Sequence, residues 1–188
     1  MAIFRQIRLY LRLIHNEIHA KISPIGYARR IGVRIGNGTV FYGMRAGMFS
    51  SEPFLVTIGC HCHITSGVQF ITHDGGPLIL RHEYPDLDFT APITVGDYVY
   101  IGIRSIILPG VSIGCHSIIG AGSVVNKSIP ANCVAAGVPA LVVCELDEYL
   151  QKLRSKSTGL GHLKGLAKEA EYIKYFGVTH KFKSRLTK

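Results

Sequence analysis

His73 is the residue of this 188-residue chain best suited to do chemistry. It sits in FITHDG, where a regular apolar pattern stops and a long irregular stretch begins. A neutral imidazole can take a proton from a weak nucleophile as it attacks, an effect worth roughly 10²–10⁴ in rate. The competing reading is a surface histidine, since the chain has nine. Two carboxylates stand near. Glu52, in SEPFL, could bind a substrate hydroxyl or orient the imidazole. Asp74 is adjacent to His73, and neighbouring side chains on a strand point to opposite faces, which makes it the weaker orienting partner. The acidic run EYPDLD, with Glu83, Asp86 and Asp88, reads as a pocket wall or simply as a polar loop. Cys60-His61-Cys62-His63 has the residue types of a metal site. Alternation along a strand sends adjacent ligands to opposite faces, so they cannot close one tetrahedral site, and no metal is expected.

These residues need a scaffold, and the pattern around them describes one. Val95, Ile101, Ile107, Ile113, Ile119 and Val125 lie six apart. Gly96, Gly102, Leu108, Gly114, Gly120 and Asn126 follow them, and Val99, Ser105, Val111, Ser117, Ser123 and Ile129 recur in the same register. Three hexapeptides make one triangular coil. The aliphatic residues point inward, small residues fill the taper, and Gly or Asn takes the unusual backbone angles near corners. Coils stack by parallel pairing, each burying its face on a neighbour. Ile58, Ile64 and Phe70 continue the register backwards, and Ile35 and Phe41 do so more faintly. Residues 44–54 do not fit it, and residues 74–92 break it with Gly75, Gly76, Pro77, Pro85 and Pro92. Loops of that length in a repeat fold are usually functional.

Helical extensions flank the repeat, dividing the chain into 1–34, 35–143 and 144–188. Ile3, Ile7, Tyr10, Leu11, Ile14 and Ile18 give residues 2–22 an apolar stripe, with Arg5, Arg8 and Arg12 on another face. The simplest role for the stripe is packing on the first coil; contact with a membrane surface is the alternative. Ser23 and Pro24 open a second short helix, and Gly32 stops it. Leu146, Tyr149, Leu150 and Leu153, then Leu163, Leu166, Ala170 and Ile173, form two more stripes, expected to cap the last coil.

Composition sets the remaining bounds. The chain is 47% hydrophobic and 18% charged, which excludes a disordered polymer. A net charge of +9 suits an anionic partner, but no nucleic-acid motif accompanies it, so nucleic acid is not expected. Five cysteines without a CxxC pair point to reduced thiols and a cytoplasmic location. Arg5, Arg8 and Arg12 break the N-terminal apolar run, so it does not read as a signal peptide.

The segment ITVGDYVYIGIRSIILPGVSIGCHSIIGAGSVVNKSIPANCVAAGVPA resembles the hexapeptide-repeat acyltransferases. SEPFLVTIG, ITSGVQFITHDGG and EYPDLDF are similar to the branch associated with capsule and O-antigen assembly. The resemblance covers about 35–143. It implies a left-handed parallel β-helix, a homotrimer with active sites between subunits, acetyl-CoA as donor and a sugar, nucleotide-sugar or lipid-linked glycan as acceptor. It implies direct transfer with His73 as base, the N–H of Ile103 as oxyanion donor, and the pantetheine arm near Gly102, Ala121 and Gly122. Asn126 and Lys127 match the pair near the cofactor's adenosine end, where Lys127 could meet a phosphate. Three other functions stay open: N-acetylation of an amino sugar, a non-catalytic scaffold, and a metal lyase of the γ-carbonic-anhydrase type. The last needs a histidine pair five apart, which this chain lacks.

Overall fold

The computed structural model describes residues 2–178, with side chains from Phe4 onward. Met1, the Ile3 side chain and residues 179–188 of the C-terminal extension therefore lie outside the described residues. The chain divides into two compact units, one ending at Tyr149 and one beginning at Leu150.

Two helices open the first unit, α1 (Ala2–Ile22) and α2 (Pro24–Arg30). Pro24 begins α2 where a missing N–H costs nothing, and Gly32, at φ +105°, turns the chain out of it. The last turns of α1 are fastened. Ala20 is fully buried, His19 meets the Tyr27 ring edge-on, Glu17 accepts the Ala46 N–H at 3.0 Å, and Asn16 accepts from Arg30 at 2.9 Å. The apolar stripe does not pack on the first coil as expected. Phe4, Ile7, Leu11, Ile14 and Ile18 are all about half exposed or more, because α1 docks through the Ala20 face and the stripe points elsewhere.

Short strands follow: Arg34–Ile35 (β1), Val40–Phe41 (β2), Val56–Ile58 (β3), His63–Ile64 (β4), Gln69–Phe70 (β5), Ile93–Val95 (β6) and Tyr100–Ile101 (β7). Then come Ile106–Ile107 (β8), Ser112–Ile113 (β9), Ile118–Ile119 (β10), Val124–Val125 (β11), Cys133–Gly137 (β12) and Ala140–Glu145 (β13). They form three sheets, ordered β1-β3-β6-β9, β2-β4-β7-β10-β12-β13 and β5-β8-β11. Thr94 pairs with Ser112, Tyr100 with Ile118 and Ile106 with Val124, all in parallel. β6, β7 and β8 thus meet their counterparts three hexapeptides later, and from β3 to β11 successive strands visit the three sheets in turn.

The periodic residues form the core. Val95, Ile101, Ile107, Ile113, Ile119 and Val125 are buried, and so are Val99, Ser105, Val111, Ser117, Ser123 and Ile129. The buried serines are satisfied locally. Ser105 Oγ lies 2.8 Å from the Gly102 carbonyl and 3.0 Å from that of Gly120, and Ser123 donates to Gly120 at 2.7 Å. A small residue that carries its own partner fits the narrow interior without leaving a backbone acceptor dry.

Both interruptions have structure. Residues 44–54 form two 3₁₀ turns that drive Met44 and Met48 into the core and stack Phe49 on Phe70, centroids 5.2 Å apart. The long loop leaves and returns through one neck, where His73 bridges Thr90, Asp74 N–H donates to Phe89 and Ala91 N–H donates to Thr72. At the far end the edge of the six-stranded sheet is covered by a strand, a role expected of the C-terminal helices. β13 folds back antiparallel on β12, from Gly137↔Ala140 to Cys133↔Glu145. A sharp reversal suffices for an antiparallel partner, and it covers an edge that would otherwise stay open. α3 (Leu146–Arg154) follows it, and α4 (Gly165–Tyr175) lies in the second unit.

Candidate active site

His73 and Glu52 meet because of strand register. Phe49 pairs in parallel with Phe70, and Ser50 N–H donates to the Phe70 carbonyl. Counting three residues on along each segment sets Glu52 beside His73. The contact is direct: His73 Nδ1 lies 2.8 Å from Glu52 Oε2.

Two residues not singled out from the sequence complete the arrangement. Thr72, fully buried, donates its hydroxyl to the same Glu52 oxygen at 2.8 Å. Its only hydroxyl proton is then used, so the Ser50 hydroxyl, 2.5 Å away, donates to Thr72 Oγ1. Ser50 Oγ in turn accepts the Thr72 N–H at 3.0 Å. Hydrogen bonds from His73 and then Thr72 hold the Glu52 carboxyl below its ordinary pKa, against a smaller opposing effect of burial. An ionised carboxylate only accepts, so this network assigns the proton of a neutral His73 to Nδ1. The lone pair is left on Nε2, the nitrogen free to accept a proton. Thr72 and Ser50 carried no signal in their spacing; only the Phe49–Phe70 pairing reveals them.

Asp74 does not join this network. Its carboxylate accepts the Gly76 N–H at 2.9 Å and shapes the start of the loop. Two cavities share His73, Asp74 and Gly75. One, of about 290 Å³, is otherwise walled by Ser51, Glu52, Leu78, Arg81, Asp88 and Thr90. Arg81 is held there by Asp88 at 3.0 Å and by the Leu87 carbonyl at 3.1 Å. The other, of about 380 Å³, runs past Ile71, Leu108 and Pro109 to Asn126. Glu83 and Asp86 line a separate surface dimple.

The remaining sequence candidates lie apart. Gly102 and Ile103 turn the corner between β7 and β8, and Ala121 and Gly122 the matching corner one coil later between β10 and β11, the two stitched by Gly122 N–H to the Ile103 carbonyl at 2.8 Å. Gly102 has to be glycine, because a Cβ there would stand 2.5 Å from the Ala121 nitrogen. β5 pairs in parallel with β8, Gln69 with Ile106, which sets Ile103 level with Ser66, seven residues before His73. Within one chain this corner and His73 therefore stand at opposite ends of the face that β5 and β8 build. Lys127 is exposed next to Asn126. In the cysteine–histidine run, Cys62 is buried with Sγ 3.0 Å from the Gly96 carbonyl, and burial pushes its thiol pKa up. His61 instead stacks on Tyr98, 4.8 Å between centroids.

A three-sheet parallel solenoid with a carboxylate-anchored histidine at the break in its repeat defines a class, the hexapeptide-repeat transferases. The model of the bacterial transferase hexapeptide family (six repeats) matches residues 92–127. Protein CapG of Staphylococcus aureus is 47% identical over 147 residues, covering 78% of this chain and 82% of that protein. Galactoside O-acetyltransferase of Escherichia coli K12 is 41% identical over 66% of this chain and 60% of its own length. The crystal structure of the polySia-specific acetyltransferase NeuO superposes with a TM-score of 0.50 at 28% identity, over 76% of this chain and 63% of that one. The chain belongs to the hexapeptide-repeat transferase family and is an enzyme of that class.

Proposed function

We propose that this protein is an acetyl-CoA-dependent O-acetyltransferase that modifies a sugar hydroxyl in surface polysaccharide synthesis. The observation that carries the reading is the Ser50–Thr72–Glu52–His73 chain, which leaves Nε2 of His73 free between two cavities. The acceptor hydroxyl sits in the loop-walled cavity and gives its proton to Nε2 as its oxygen attacks the acetyl carbonyl. The thioester arrives along the cavity that ends at Asn126, next to the exposed Lys127. Glu52, on Nδ1, stabilises the imidazolium formed during attack. The acetyl group moves directly to the sugar, and CoA leaves as the thiol once the imidazolium returns its proton. Galactoside O-acetyltransferase and the polySia specific acetyltransferase NeuO support sugar acetylation by name, and the likeness of SEPFL and FITHDG to the capsule and O-antigen branch supports surface polysaccharide as the setting.

A base and an oxyanion donor must both lie within a few ångströms of the same carbonyl. The N–H of Ile103 and His73 stand at opposite ends of the β5–β8 face of one chain, so in this reading a second copy supplies that corner. This supports a homotrimer of left-handed coils with three shared sites, in which Gly102, Ala121 and Gly122 of one copy receive the pantetheine arm beside His73 of the next. The site works in the cytoplasm, where acetyl-CoA is made.

The test is CoA release from acetyl-CoA with a panel of glycosides and amino sugars, the product identified by NMR as ester or amide. Ester formation, reduced 10²–10⁴-fold by His73→Ala, is expected. Unchanged turnover in His73→Ala removes the mechanism, and acetylation confined to amines removes O-transfer.

A further inference from the structure

The outer part of α1 is a narrow basic ridge on a broad apolar helix. Arg5, Arg8, Arg12 and His15 recur at spacings of three and four, which lines them along one edge, and all four are exposed. Phe4, Ile7, Leu9, Tyr10, Leu11, Leu13 and Ile14 occupy most of the remaining circumference, each between 49% and 74% exposed. Water solvates that much apolar surface at a cost, and single exposed leucines do not explain a contiguous arc along about three turns.

We propose that α1 lies along an anionic lipid surface and holds the enzyme there. Charge complementarity favours this occupant. Residues 2–16 contain no carboxylate, and the first acid, Glu17, already serves the Ala46 N–H and Lys21. Two copies laid side by side would oppose arginine to arginine with nothing to pair them. A lipid surface answers both features: acyl chains take the apolar arc at any rotation, and phosphates meet the ridge. The helix spans about 30 Å at 1.5 Å per residue. No helix among the described residues is long and apolar enough to cross a membrane, so α1 lies in the interface. Its last turns, fixed by Ala20, His19 and Glu17, join the anchor to the solenoid. This contact is independent of the acetyl-transfer reading.

The chain contains no tryptophan, so Tyr10→Trp introduces a single reporter on the apolar arc. The full-length variant is mixed with phosphatidylcholine vesicles with and without phosphatidylglycerol. A blue shift and co-sedimentation confined to the anionic vesicles, and reversed by salt, are expected. Replacing Arg5, Arg8 and Arg12 together by Gln weakens partitioning on the order of a hundredfold, about fivefold per arginine. Leu11→Glu with Ile14→Glu removes it. His73→Ala keeps vesicle binding, and the helix variants keep transfer to a soluble acceptor, which separates the two proposals. Absence of a shift on anionic vesicles overturns the inference. So does a change of oligomeric mass in Leu11→Glu/Ile14→Glu, which would make the arc an interface between copies.

Discussion

Glu52→Gln isolates what the carboxylate contributes beyond geometry. The Gln carbonyl can still accept from His73 Nδ1 and Thr72, so the imidazole stays where the 2.8 Å contacts hold it. What disappears is a full negative charge beside the imidazolium that forms as the acceptor loses its proton. Charge centres about 4 Å apart interact by about 4 kcal/mol at an effective dielectric of 20 and about 1 kcal/mol in bulk water. The two side chains are 35% and 27% exposed, which puts the pair between those limits. A loss of about 2 kcal/mol corresponds to a kcat roughly 30-fold lower. The acceptor cavity keeps its shape, so KM for the sugar should move less than threefold, a bound of about 0.6 kcal/mol on ground-state binding. Steady-state kinetics at saturating acetyl-CoA measures both constants. A kcat within twofold of wild type would show that Glu52 only orients the ring, or that His73 is not the base. Thr72→Val would then be informative, since it removes a hydrogen bond to Glu52 and leaves the charge.

The Glu52 carboxyl has a lowered pKa in the folded state, so its contribution to stability is full above the ordinary carboxylate range and fades as pH falls through the folded value. The melting-temperature gap between wild type and Glu52→Gln should therefore narrow on acidification; a gap that widens would refute the assignment. Gly102→Ala drives a Cβ to within 2.5 Å of backbone nitrogen and should cost about 1–3 kcal/mol by overpacking, visible as a lower urea midpoint. Ser105→Ala removes the hydroxyl set between the Gly102 and Gly120 carbonyls; Gly120 keeps its Ser123 donor, and the loss should cost about 1 kcal/mol in the same titration. Ile107→Ala empties a fully buried position and should cost about 2–5 kcal/mol, whereas Ile103→Ala, at an exposed corner, should cost little stability.

The residues themselves determined the solenoid. A flat face with one inward side chain per short strand repeats every six residues, so burial is written locally and any register slip would expose it. All twelve positions read as inward between Val95 and Ile129 are buried. His73 was legible for a related reason, since it stands where that rule stops applying. The tertiary structure decided what depends on pairing across an interruption. The insertion at 44–54 shifts the expected coil spacing, and only the Phe49–Phe70 pair restores the register that joins Glu52 to His73 and recruits Ser50 and Thr72. Adjacency counts against Asp74 as a partner of His73, and a turn spends its carboxylate on Gly76. The same limit applies at both ends of the chain. Periodicity marked an apolar stripe on α1 without saying which face meets the body, and the six-residue period, fading after Ile129, did not show that Ala140–Glu145 turns back antiparallel to close the sheet. Period reports which side chains share a face. What that face touches is set by partners distant in sequence.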